Sequence, residues 1–198
     1  VKSVVWSLHL LRFTETIKDN LYSKKEIIIM RIVYLNHDFH FNTGAGRFGR
    51  ALIGSVKQAG PDMDLELLST EPDSDDQFSS APLIRSNRFR LLLALPKIRA
   101  IFRTSDVVHA LDGWPYGFIA ALASFGLKKR LIITAIGTGA VKPLYSPIKR
   151  VLLGWAYRRA DCLTAISNNT KKEILKFFPD LKIDVIHHGV DSDKFKVE

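Results

Sequence analysis

The sequence predicts an α/β domain with a doubly wound parallel sheet, and three observations predict it. Several short runs are continuously apolar rather than alternating, as strands buried on both faces are: Arg31 to Asn36, Asp106 to Ala110, Leu131 to Ile136 and Asp161 to Ile166. Stretches of helical periodicity separate them, so strand and helix alternate along the chain with room for right-handed crossovers. The 198 residues are 46% hydrophobic and 25% charged, a balance that supports one domain with a full core.

Residues 1–29 fit this alternation poorly. Their helical periodicity is weak, and Ile27-Ile28-Ile29-Met30 runs straight into the first strand. Lys24-Lys25-Glu26 is encodable by a purine-rich AAGGAG stretch a few codons before Met30, which is how a bacterial ribosome-binding site reads when translated. We therefore expect Met30 to be the start and residues 1–29 to be a non-native extension; a genuine N-terminal helix is the alternative. From Met30 the first strand, Arg31 to Asn36, leads through a glycine loop into a helix with Phe48, Leu52 and Val56 stacked at i, i+4 spacing. Gly60-Pro61 stops it.

A strand over Met63 to Ser69, a polar loop over 71–76 and a short strand near Pro82 to Arg85 follow. Residues 88–104 read as a basic, leucine-rich helix bent at Pro96. After the strand at Asp106 comes a turn, Asp112-Gly113-Trp114-Pro115-Tyr116-Gly117, then an apolar helix ending near Gly126. The strand from Leu131 closes on Gly137-Thr138-Gly139. A helix over Pro147 to Arg159 puts Ile148, Val151, Leu152 and Trp155 on one face. Strand Asp161 to Ile166, helix Asn168 to Phe178 and strand Lys182 to His187 complete the pattern, without internal repeats or low-complexity tracts.

The formal net charge of +9 suggests a polyanionic partner: nucleic acid, an anionic membrane face or a phosphorylated ligand. No aromatic-basic interleaving or nucleic-acid motif accompanies it, so nucleic acid is not expected. The single cysteine, Cys162, excludes an internal disulfide framework, suits a reducing compartment and reads as a buried, inert thiol. No apolar run approaches the roughly 20 residues that span a bilayer. His9 and the lack of a small-residue cleavage site argue against a signal peptide.

Asn42-Thr43-Gly44-Ala45-Gly46-Arg47-Phe48-Gly49-Arg50 contains G-x-G-x-x-G, the dinucleotide fingerprint. In a dinucleotide unit the first glycine follows the strand almost directly, and an acidic residue about 20 positions later takes the ribose. Glu66 or Glu71 stands in such a place, but seven residues, His37 to Thr43, precede Gly44. That is long for the tight turn, although glycines opening a helix suit a phosphate in any case. A purely structural glycine turn is the alternative.

At the C-terminal edge of such a sheet, residues that end strands line the ligand crevice. Here they are His37 and Asp38, then His109 and Asp112 with Trp114, then Gly137 and Thr138, then Ser167 and Asn168, then His187-His188-Gly189. A lone histidine such as His109 is more often a hydrogen-bonded core residue; the clustering points to a site.

Together these segments resemble the family 4 (group 1) glycosyltransferases of the GT-B fold. The resemblance rests on Met30 to Leu35, Thr43-Gly44-Ala45-Gly46-Arg47, Asp106-Val107-Val108-His109-Ala110 and Ile133 to Thr138. Most specific are Ala160 to Ser167 with Thr170, and Val185-Ile186-His187-His188-Gly189-Val190-Asp191 with Phe195. It implies that residues 30–191 are the Rossmann-like, acceptor-side half of a GT-B fold. Residues 192–198 would start the linker to a donor-binding domain that this chain lacks, leaving it inactive alone; a non-catalytic binding module of GT-B descent is the alternative.

It further implies retaining transfer of a sugar from a nucleotide-sugar donor, which is substrate and not cofactor, to a glycan or lipid-linked acceptor, without a metal. Gly44, Ala45, Gly46 and Arg47 would face the donor phosphates, and His109 and Asp112 would be catalytic. His37, Asp38, Trp114, Gly137, Thr138, Ser167, Asn168 and His188 would line the acceptor cleft. Leu111 and Ile136 stand where the family often has histidines, so those roles do not carry over. The expected location is cytoplasmic. Arg85, Arg88, Arg90, Lys97, Arg99 and Arg103 around Leu91-Leu92-Leu93 and Leu95 suggest a peripheral contact with an anionic membrane. A core helix with a solvated basic face is the equal alternative.

Overall fold

A computed structural model of the chain describes residues 29–71, 81–82 and 93–189. Among the described residues seven strands, β1 (Arg31–Asn36), β2 (Asp64–Ser69), β3 (Ala81–Pro82), β4 (Val107–Leu111), β5 (Arg130–Ala135), β6 (Cys162–Ala165) and β7 (Asp184–Val185), form one sheet. All are parallel, in the order β3-β2-β1-β4-β5-β6-β7. The order reverses between β1 and β4, so the chain leaves these neighbours in opposite directions and opens a crevice at their C-terminal ends. This is the expected Rossmann-like, doubly wound architecture.

Helices α1 (Gly44–Ala59), α2 (Leu95–Arg103), α3 (Phe118–Ala123), α4 (Thr138–Val141), α5 (Pro147–Arg159) and α6 (Asn168–Leu175) flank it. Because strand side chains alternate between faces, β1 sends Val33 and Leu35 one way and Ile32 and Tyr34 the other. The first face packs under Ile98 and Phe102 of α2, Ile119 of α3, Leu153, Ala156 and Tyr157 of α5 and Ile174 of α6. The second packs under Phe48, Leu52, Ile53 and Val56 of α1, as the i, i+4 spacing predicts. Gly60 caps α1 by donating its N–H to the Val56 carbonyl. Ion pairs of Arg31 with Asp64 and Glu66, and of Arg130 with Asp161, lie at the N-terminal ends of the strands, away from the crevice.

Three expectations meet the structure differently. The Ile148 and Val151 stripe of α5 faces outward, at 75% and 71% exposure. The helix is instead turned so that the Tyr157 hydroxyl donates to the Ala140 carbonyl and Gly154 meets the Phe178 ring. Cys162 is half-buried, and burial pushes its thiol pKa up. In α2, Ala94, Ile98 and Phe102 are buried and the Arg99 guanidinium donates to the Ala123 and Phe125 carbonyls. The described part is therefore a core helix showing Lys97 and Arg103 to solvent. Arg85, Arg88, Arg90, Leu91 and Leu92, like residues 1–28 and Val190 to Phe195, lie outside the described residues. Among the described residues no helix is long and apolar enough to cross a membrane.

Two glycines in α1 give opposite expectations. A Cβ at Gly49 would come within 2.9 Å of the Asn36 amide and the Phe39 ring, whereas one at Gly54 meets nothing within 4 Å. Gly49→Ala is expected to destabilise by about 1–3 kcal/mol through overpacking. Gly54→Ala should stabilise by about 0.5–1 kcal/mol through helix propensity. Urea unfolding of both variants measures the difference.

Candidate functional site

The seven residues between β1 and α1 form a closed, hydrogen-bonded loop. Asn36, at the end of β1, donates its side-chain amide to the Asp38 and Ala45 carbonyls. Asp38 is fully buried, and one carboxylate oxygen accepts from the His40 N–H at 3.0 Å and the Thr43 hydroxyl at 2.5 Å. Phe39 drives into the α1 core, and Arg50 donates to its carbonyl while stacking on Phe41 at 4.1 Å. Thr43 is the N-cap of α1, its hydroxyl accepting from the Gly46 N–H at 2.9 Å.

This arrangement divides the glycine motif. A Cβ at Gly46 would collide with the His40 carbonyl at 2.1 Å and with Asp38 at 2.4 Å, so Gly46 is glycine because its own loop closes on it. With its N–H capped and its backbone buried, Gly46 is not placed to serve as a phosphate donor. Gly49 packs on Asn36 and Phe39. Gly44 is exposed with nothing within 4 Å, Ala45 is half-buried, and Arg47 is exposed beside them. Gly44 and Ala45 stand in the first turn of α1, whose N–H groups have no partner within a helix, at the positive end of the helix dipole.

Across the switch point, His37 meets residues from two other elements. Its Nδ1 lies 3.0 Å from Thr70 Oγ1, after β2, and 3.0 Å from the Tyr116 hydroxyl, in the turn after β4. Thr70 and Tyr116 are themselves 3.0 Å apart, and Thr70 donates to the His37 carbonyl. Burial, with the charges of Asp112, Asp38 and Glu71, pushes the Tyr116 phenol up to about 12. The His37 ring is half exposed and its Nε2 is 3.9 Å from Glu71.

Asp112 directly follows β4 at φ 133°, a left-handed backbone that favours glycine, and caps the following π-type turn by accepting from the Gly113 N–H at 2.7 Å. Its carboxylate lies against Gly139, where a Cβ would be 1.8 Å from Oδ2. Burial raises its pKa to about 7, against backbone hydrogen bonds from Gly113 and Ile136 that lower it. Gly137, at φ 60° with open space around it, and the exposed Thr138 begin α4 beside it. A half-buried, strained carboxyl that titrates near neutrality is suited to exchanging a proton or a hydrogen bond with a ligand.

The remaining candidates are placed differently. His109 is 1% exposed, inside the sheet, with Nε2 2.8 Å from Thr134, which in turn is 2.9 Å from Thr164. Burial drops its pKa to about 3, and the Tyr34 ring packs 5.2 Å away. The ring is a neutral member of a polar ladder across β4, β5 and β6, which sets it apart from the cleft mouth. Trp114 packs into the outer helix layer, stacked on Phe118 at 5.4 Å with Lys149 over its ring. Ser167 caps α6, accepting from the Thr170 N–H, and Asn168 is exposed next to it. His188 returns to α1, its ring 4.9 Å from Phe48, and burial lowers its pKa.

The C-terminal edge of the sheet thus carries His37, the first turn of α1 with Gly44 and Ala45, Asp112, Gly137 and Thr138. Sequence reading passed over Thr43, Thr70 and Tyr116. Thr43 carried a signal, a threonine directly before a helix; Thr70 and Tyr116 carried none, since their meeting depends on parallel register. Among the described residues no cluster of His, Cys, Asp and Glu is suited to hold a metal.

The profile described as Glycosyltransferase Family 4 matches residues 43–194. Among solved structures the chain is similar to HepE of Anabaena in complex with UDP-glucose, at 18% identity and TM-score 0.65, covering 85% of this chain and 46% of that one. It is also similar to a UDP-N-acetylglucosamine 2-epimerase, at 18% identity and TM-score 0.54, covering 80% and 48%. MnaA of S. aureus, solved with UDP, matches at 16% identity and TM-score 0.54, covering 79% and 43%. The chain therefore spans about half the length of these structures. A search of functionally curated proteins returns no match.

The Asp112 shift sets a pH dependence. Its folded pKa of about 7 lies above the ordinary 3.8, so the folded state holds the proton more tightly. The stability this contributes is fully present below the unfolded value and is lost as pH rises through about 7. The stability of the native chain relative to Asp112→Asn should therefore fall by a few kcal/mol between about pH 4 and pH 7, then level off. Urea titrations of both proteins across that range measure it.

Proposed function

The chain belongs to Glycosyltransferase Family 4, and from that premise we propose that it is the acceptor-side half of a retaining glycosyltransferase. On this reading the full enzyme moves a sugar from a nucleotide-sugar donor to a glycan or lipid-linked acceptor. A donor-binding domain outside this chain holds the nucleotide. The observation that carries the reading is the start of α1, where the exposed Gly44 and the half-buried Ala45 open the helix that follows β1, beside the β1/β4 switch point. Such a helix end is suited to the charge that develops on the departing diphosphate.

The residues divide the work accordingly. Thr43, Asp38 and Gly46 hold the first turn of α1 in place. Gly44 and Ala45 meet the donor phosphates, with Arg47 adding positive charge at the rim. Asp112, on the other side of the crevice, meets the acceptor or the transferring sugar. The similarity to structures holding UDP or UDP-glucose supports a uridine nucleotide as the first donor class to test.

Gly44→Pro is the informative variant. Proline is tolerated in a first helical turn, and Thr43 is already extended at φ −108° and ψ 150°, as a residue before proline must be. The substitution removes one N–H and leaves the helix. In the full enzyme it is expected to lower kcat by about 10²-fold, the usual cost of one oxyanion donor, with unchanged unfolding. Full activity in that variant would sink the phosphate-loop reading. The purified 198-residue chain alone should turn over no nucleotide sugar, as product chromatography would register.

A further inference from the structure

His37, Thr70 and Tyr116 come from three separate elements and meet with each pair 3.0 Å apart. Counting protons decides how. Thr70 has one hydroxyl proton, and we assign it to the His37 carbonyl at 2.9 Å, which can only accept, leaving none for the others. Tyr116 has one proton, held on the phenol across the working pH range by its raised pKa. With the imidazole proton on Nε2, that single proton would serve one of the three contacts. The other two would set lone pair against lone pair. With the proton on Nδ1, Tyr116 donates to Thr70 and Nδ1–H is shared between the two oxygens, so every contact is a hydrogen bond.

We propose that Thr70 and Tyr116 lock His37 in the Nδ1–H tautomer, so that its outward Nε2 accepts a hydrogen bond from a hydroxyl of the sugar acceptor. His37 is then the ligand-touching group, and Thr70 and Tyr116 are positioning residues. The inference rests on the glycosyl-transfer reading for the identity of the ligand and on geometry alone for the tautomer. Glu71 Oε1 stands 3.9 Å from Nε2, too far for a hydrogen bond to it. Two acceptors side by side at that spacing suit two neighbouring hydroxyl donors and repel a phosphate or carboxylate. The pair therefore selects a neutral polyol portion of the acceptor and keeps the donor phosphates on the Gly44 side of the crevice.

Long-range ¹⁵N–¹H spectra of histidine-labelled protein, taken at about pH 8.5 where an ordinary imidazole is neutral, read the tautomer directly. The expected result is Nδ1–H for His37. In Tyr116→Phe and Thr70→Val it should shift toward Nε2–H while the other five histidines keep their signals. An Nε2–H tautomer in the native protein, or one unmoved by both substitutions, overturns the lock.

Titration of the full enzyme with methyl glycosides of glucose, galactose and mannose, and separately with UDP, tests the ligand. Sugars should move the His37 Nε2 resonance, and UDP should move the Gly44 and Ala45 amides. If UDP moves those amides while no glycoside moves Nε2, the His37 role falls and the donor-loop reading stands. If glycosides move Nε2 while UDP leaves the amides in place, the His37 role stands and the donor-loop reading falls.

Discussion

The crevice depends on one buried interaction, the Asp38 carboxylate between the His40 N–H and the Thr43 hydroxyl. A polar group with no exposed surface is costly unless hydrogen-bonded, and this one draws the donors to its Oδ1 from within five residues of chain. Thr43 passes the constraint on, because the hydroxyl that donates to Asp38 also accepts from the Gly46 N–H at the start of α1. The orientation of the first helical turn, and with it that of its N–H groups, is thereby tied to a residue of the β1 loop. Asn36 makes the same connection from the strand side by reaching the Ala45 carbonyl. Anything that α1 presents to a ligand is aimed by these contacts.

Strands were legible because burial on both faces leaves an unbroken apolar signature, and each of the seven described strands overlaps a stretch read as strand. The two-residue strands β3 and β7 carry too little periodicity to fix their bounds: β3 lies at Ala81–Pro82, where the expected strand ran near Pro82 to Arg85. Helix faces were less legible. Ile148 and Val151 look like a core stripe, but the turn of α5 is decided by Tyr157 and Gly154, whose partners Ala140 and Phe178 lie on other elements. The site was legible as a list of strand ends and illegible as a set of contacts. Periodicity assigns His37, Asp112 and Gly137 to one edge of the sheet. It does not pair His37 with Thr70 and Tyr116, because that pairing needs the register of β1 with β2 and β4.

The glycine motif shows why a pattern underdetermines chemistry. Gly44, Gly46 and Gly49 satisfy the same spacing for three different reasons. One is open at a helix start, one is pressed by its own loop, and one makes room for Phe39 and Asn36. A pattern search weighs them alike. Only the surroundings separate ligand contact from packing. His109 teaches the same lesson: a histidine at the end of an apolar run reads as a candidate catalyst, but one register position decides. His109 is two residues short of the end of β4 and sealed in the sheet, while Asp112, three positions on, stands at the edge with a carboxyl that titrates near neutrality.

The proposed division of labour between this half and a second domain has an electrostatic reason. The helix terminus contributes roughly half a unit charge. Against a phosphate about 4 Å away in water this yields well under 1 kcal/mol per unit of ligand charge, too little to hold a nucleotide. The same dipole in a closed, water-poor cleft is worth several times more, since the interaction scales inversely with the effective dielectric constant. Gly44 is exposed and the crevice edge is lined by half-exposed groups, so this half alone cannot exclude water from its own donors. The loop therefore gains its strength at the moment a second wall closes over the ligand. On the proposed reading the N–H groups would bind the ground-state nucleotide weakly in the open form and act on the developing phosphate charge in the closed form. That difference between the two states is what speeds a reaction, and tight binding in both would not.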